Sequence, residues 1–233
     1  MRAFHFIGKS FLSDDDLMCG ISIPWRIGEP RIYSPFTYDF GDGEVHRRHG
    51  YQSSPILWEA FLNSDGPVAC LVEVSEPVHR ESDEHGARNF SLTRKLIAAR
   101  NLETELRHFA IVCAERAISR ADAALVNERD VQDLLQKARR QFASEPSSSE
   151  PHEAFCAGLE LASQDPGVRG RALCVAASAN CPEAENAALL VVEMTRDLVR
   201  IAGLDEDAER RSHQELFDVS FGQVFAATEK KWD

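Results

Sequence analysis

The chain holds no Cys-x-x-Cys pair, no complete Gly-rich phosphate loop, no HExxH helix and no apolar run of about 18 residues. Without the first, the six cysteines at 19, 70, 113, 156, 174 and 181 read as reduced core residues rather than a disulfide or zinc framework. Without the second, Gly41-Asp42-Gly43 is a turn and not a nucleotide cradle. Without the third, His46, His49, His79 and His85 offer a metal only scattered ligands, and no metal is expected. Without the fourth, and with no cleavage signal after Met1, the expectation is an intracellular, cytoplasmic chain with no membrane partner.

Positive charge is also short. Against 38 Asp plus Glu stand 26 Lys plus Arg, a formal charge of -12. Residues 1–100 hold 11 basic against 14 acidic residues (-3), and residues 101–233 hold 15 against 24 (-9). A field of that sign repels phosphate, so direct nucleic-acid binding is not expected, and a basic protein surface is the natural partner. Arg47-Arg48, Arg139-Arg140 and Arg210-Arg211 are short basic pairs, none of them a nucleic-acid groove.

What is present divides in two. Leu102, Leu106, Phe109, Cys113 and Ala117 recur at helical spacing through 102–118, the clearest helix in the chain. Before it, residues 3–7 read as a strand and 68–74, apolar throughout its first five positions, as a strand buried on both faces. Residues 11–50 carry turn signals, with Asp42-Gly43 able to turn a hairpin, and Ser54-Pro55 opens a short helix over 55–63. Residues 76–91 read as a polar loop and everything from Leu92 as helical: 130–142, 152–163, 167–179, 183–202, and a last helix from Asp205 to Lys230-Lys231. A Pro/Ser/Glu linker falls near 144–151. The fold class expected is α+β, with a small strand-containing domain over 1–100 and an acidic helical bundle over 101–233.

Three sets of residues could carry function. Asp205, Glu206, Asp207 and Glu209, with Glu183, Glu185 and Glu193, read either as solvated helix starts or as an anionic face for a basic partner. Trp25, Tyr33, Phe36 and Tyr38 form an aromatic loop that could join it. His5 on the first strand, with Tyr51 before a helix and a buried strand, reads as core or as a ligand-holding pair; Cys70 and Cys113 read as inert core thiols.

The His5 and Tyr51 order resembles ADP-ribosyltransferase folds, in which His would bond a ribose hydroxyl of NAD and Tyr would stack on nicotinamide. A third member, a catalytic Glu, has no obvious equivalent among Glu73, Glu81 and Glu84. Ala3-Phe-His-Phe-Ile-Gly-Lys9, with Gly50 to Val74, resembles an uncharacterised N-terminal domain of phage and prophage proteins. Leu106 to Phe142, with its Phe-Ala-Ile-Val-Cys-Ala-Glu-Arg core and the Ala-rich helices behind it, resembles bacterial immunity proteins. The chain departs from them in having fewer alanines and a Pro-rich insertion at 22–50. The resemblance implies a protein of mobile elements and microbial conflict. On that analogy it would bind and block a protein partner of a host defence or toxin system without catalysis, the alternative being an NAD-using transferase. Oligomeric state is left open.

Overall fold

The fold is seen in a computed structural model that describes residues 1–12, 23–33, 37–39, 45–47, 50–83, 86–143 and 149–226, with backbone alone for 37–39, 45–47, 83 and 142–143. The chain divides into two compact units, one formed by Met1–Leu102 and the residues from Gly222 onward, the other by Glu103–Phe221. Strands in the first and helices in the second make the protein α+β.

In the first unit, β1 (Arg2–Ile7), β6 (Val68–Val74), β9 (Thr93–Asn101) and β2 (Pro30–Ile32) form an antiparallel sheet in the order β1-β6-β9-β2. The central strand β6 buries every residue except Glu73, because neighbours cover both of its faces. Ala3, Ile7, Trp25, Val72 and Leu96 pack with it into one core. A second sheet, β5-β8-β7, joins Tyr51–Ser53, Gly86–Ser91 and Pro77–Asp83; β3 (Thr37–Asp39) and β4 (Val45–Arg47) pair separately. The hairpin foreseen around Asp42-Gly43 thus has its two strands, while its turn lies outside the described residues.

Two expectations fail here. The polar stretch 76–91 is not a loop but β7 and β8, whose outer positions are wet; a sheet with one solvated face tolerates polar residues that a periodicity reading assigns to coil. Helix does not begin at Leu92 either. Thr93–Asn101 is β9, paired along its length with β6, and that long-range pairing overrides the helical preference of Leu96 and Ala98-Ala99.

The short helix α1 (Leu57–Leu62) starts later than the Ser54-Pro55 signal. Ile56 takes the cap position, while Ser54 Oγ accepts from the Ile56 N–H (3.2 Å) and donates to Glu59 Oε2 (2.8 Å). Ser54 is held back because its own backbone bonds to Phe4 on β1.

The second unit is helical: α2 (Glu103–Ala121), a 3-10 turn (Leu125–Asn127), α3 (Arg129–Ala143), α4 (Glu150–Ser163), α5 (Val168–Ser178), α6 (Ala184–Ile201) and α7 (Glu206–Phe221). Helix α2 buries Leu106, Phe109, Ala110, Cys113, Ala114, Ala117 and Ile118, the stripe read from the sequence, and packs chiefly on α6. Phe217 and Phe221 of α7 close on Phe109 at ring separations of 5.6 and 6.0 Å. Small residues set the spacing elsewhere: α4 buries Pro151, Ala154, Gly158 and Ala162 against α5. Helix α7 ends at Phe221, and Gly222 leads to Phe225, which stacks on Phe4 at 6.1 Å; the helix end foreseen at Lys230-Lys231 lies outside the described residues.

Candidate functional site

Three clusters could carry function, and each is built differently from its sequence reading. In the strand unit, Arg94 of β9 is 1% exposed and lies between two rings, 4.4 Å from the centroid of Trp25 and 3.9 Å from that of Tyr51. Arg31 of β2 sits 5.3 Å from Trp25, and Tyr33 meets Tyr51 edge-on at 5.4 Å. A desolvated guanidinium held over aromatic faces gains about 2 kcal/mol or more per good contact, so these rings hold the arginines inside. Arg31 also donates to the Ile23 carbonyl (2.6 Å), and the Trp25 indole N–H donates to the Glu29 carbonyl (2.9 Å).

Trp25, Tyr33 and Tyr51 therefore come together, but as core. Trp25 (2%) and Tyr33 (4%) do not present a surface loop, Phe36 lies outside the described residues, and Tyr38 is described by its β3 backbone alone. Tyr51 is buried, and a nicotinamide stacking on the ring face that Arg94 covers would have to displace that guanidinium. His5 is buried on β1 opposite Cys70, itself a buried thiol. Of the carboxylates considered with them, Glu73 is exposed at the end of β6, Glu81 is held by His79 (3.2 Å) and Arg88 (3.1 Å), and Glu84 lies outside the described residues.

The second cluster was not foreseen. Glu209 and His213, one turn apart on α7, are 1% and 2% exposed. Glu209 Oε2 lies 2.5 Å from Arg120 Nη1 of α2, and Oε1 lies 3.0 Å from His213 Nε2. His213 Nε2 is also 3.2 Å from Thr195 Oγ1 of α6, whose hydroxyl donates to the Val192 carbonyl (3.0 Å). With its own proton so used, Thr195 accepts, which puts a proton on His213 Nε2. His213 Nδ1 is buried without a hydrogen-bond partner. Burial first, and then the charge of Glu209, pushes the nearby Cys113 thiol well above the usual thiol range. Glu209 is thus a buried tie between helices, and its reading as part of an exposed acidic face is corrected. The Glu-x-x-x-His spacing was visible in the sequence, but nothing there placed Thr195 and Arg120 beside it.

The third cluster is the acidic start of α7. Asp205 Oδ1 accepts from the N–H groups of Asp207 (2.9 Å) and Ala208 (3.2 Å), capping the helix. Asp205, Glu206 and Asp207 line an open depression of about 330 Å³ with Leu204, Arg196 and Arg210. Asp205 and Asp207 are exposed and Glu206 is half-buried, with Arg211 3.8 Å from Asp205. Three carboxylates and two arginines line it, which makes the depression one of mixed charge.

The core reading of the cysteines holds for three of them, Cys174 is half-buried and Cys19 lies outside the described residues. Cys70, Cys113 and Cys181 are buried, whereas Cys156 is exposed on α4 with His152 Nε2 3.6 Å from its sulfur. Among the described residues no three His, Cys, Asp or Glu side chains converge as metal ligands, and no helix is long and apolar enough to cross a membrane. Comparison of the chain with protein-family models, with curated proteins and with solved structures returns no match.

Proposed function

We propose that this chain is a non-catalytic binding protein that blocks a basic, nucleic-acid-handling protein of a host defence or toxin system, in the manner expected of a phage or other mobile-element product. The observation that carries the reading is charge placement: residues 103–221 hold 22 Asp plus Glu against 13 Lys plus Arg, 13 − 22 = −9. An acidic surface of this kind steers a basic partner into encounter and sets orientation more than it adds affinity. Asp205, Glu206 and Asp207 form the part of that surface nearest an open depression.

The test keeps the α7 cap. A variant with Asp205→Asn, Glu206→Lys and Asp207→Lys retains a capping oxygen while reversing the local charge. Against a partner captured from bacterial lysate on the wild-type protein, the association rate at low salt is expected to drop on the order of tenfold, with little change at high salt and little change in dissociation. Equal association rates for variant and wild type at low salt would remove the acidic face from the mechanism.

A further inference from the structure

On the outer face of α4 the side chains of His152 and Cys156 meet one turn apart. Both residues are exposed, and His152 Nε2 lies 3.6 Å from Cys156 Sγ. Residues four apart share one face of a helix, so α4 builds this pair by itself. Neither residue takes part in the arginine and aromatic cluster, the Glu209 tie or the acidic start of α7.

The separation is that of two ligands on one ion. Tetrahedral zinc takes sulfur at about 2.3 Å and imidazole nitrogen at about 2.0–2.1 Å, and an angle of about 109° between those bonds places the two donors about 3.5–3.6 Å apart. His152 and Cys156 already stand at that bite. Donors held together before the ion arrives lose little side-chain freedom on binding it.

The helix around the pair favours a cation. Residues 150–163 contain Glu150, Glu153 and Glu160 and no Lys or Arg. Glu160 is exposed four residues beyond Cys156 and continues the row 152, 156, 160 along the same face. The positive end of the helix dipole opposes a cation near His152, and the carboxylates of Glu150 and Glu153 in the first turn offset it. Thiolate and imidazole then select the ion: both suit zinc, whereas magnesium and calcium take oxygen ligands.

We propose that His152 and Cys156 form a surface site for a zinc-class divalent ion, with water in the remaining coordination positions. Binding replaces the Cys156 S–H bond by a sulfur–metal bond and releases that proton to solvent. His152 ligates as neutral imidazole through Nε2, with its ring proton on Nδ1. Among the described residues no third His, Cys, Asp or Glu converges on the pair, so the site is open and weaker than a closed four-ligand one.

A metal titration of the whole reduced chain tests the site. Cobalt stands in for zinc and reports a ligating thiolate through a near-ultraviolet sulfur-to-metal charge-transfer band. The band is expected to saturate at one ion per chain, to disappear when zinc displaces cobalt and to be indifferent to magnesium. Cys156→Ser should abolish it. His152→Ala should weaken binding by at least about 10–100-fold, the loss that removal of even a supporting second-shell group brings. Both positions are exposed, so the far-ultraviolet dichroism of the variants should match wild type. In the unaltered chain, zinc should slow alkylation of Cys156, read by peptide mass spectrometry, and leave the buried Cys70, Cys113 and Cys181 unchanged. A wild-type chain without the band overturns the proposal. A band that survives Cys156→Ser, an affinity unchanged by His152→Ala, or alkylation of Cys156 indifferent to zinc overturns it equally.

Discussion

Replacing Glu209 by Gln separates a buried tie from a surface acid. Glutamate faces Arg120 through one oxygen at 2.5 Å and His213 through the other at 3.0 Å. Glutamine keeps the volume but offers a single acceptor, so its amide N–H₂ must face one of the two donors. Breaking a buried ion pair from one side costs about 3–5 kcal/mol when the remaining charge cannot reach water. The Arg120 side chain is 39% exposed and recovers part of its hydration, which lowers the expected loss to about 2–3 kcal/mol. For a chain of this size that is a fall in melting midpoint of roughly 4–12 °C. Asp207→Asn, on the same first turns of α7 and exposed to solvent, should change stability by no more than about 0.5 kcal/mol. Calorimetry on the two variants makes the comparison. If they melt alike, Glu209 is not the buried partner of Arg120, and it returns to the acidic face.

Gly158→Ala pits two effects against each other. Alanine favours helix over glycine by about 1 kcal/mol, but its Cβ would sit 2.6 Å from Ala177 Cβ and 3.1 Å from both Leu134 methyls, an overpacking that costs about 1–3 kcal/mol. The clash should win, with urea midpoints lower than wild type; a more stable variant would mean that α4 moves off α5 freely. The alkaline limb should carry the signature of Cys113. Its folded thiol is raised above the unfolded value near 9.0, so the stability it contributes is complete below that pH. Above it the unfolded chain ionises first, and stability declines by at most about 1.4 kcal/mol per pH unit; Cys113→Ala should flatten that decline in urea titrations on either side of pH 9.

The helical unit was legible because its helices bury one-sided stripes. Leu106, Phe109, Cys113 and Ala117 announce α2, and the boundaries of α3, α5 and α6 fall within a residue or two of their periodic patterns. The strand unit was legible only where a strand is buried on both faces, as β6 is. Strands β7 and β8 carry polar outer positions and β9 carries helix-favouring alanines, so their identity rests on partners far away in sequence. No local pattern contains that information.

The candidate sites show the same limit more sharply. An aromatic loop marked Trp25 and Tyr33 as binding residues, and a resemblance marked Tyr51, but aromatic faces also serve to bury an arginine. A guanidinium can leave water if aromatic faces receive it, and Trp25 and Tyr51 receive Arg94. Once Arg31 is drawn inward beside them, the strict alternation of a strand forces its neighbour Ile32 outward. The exposed isoleucine is thus a consequence of the buried arginine. The residue that sequence reasoning would assign to the core and the one it would assign to the surface exchange places together.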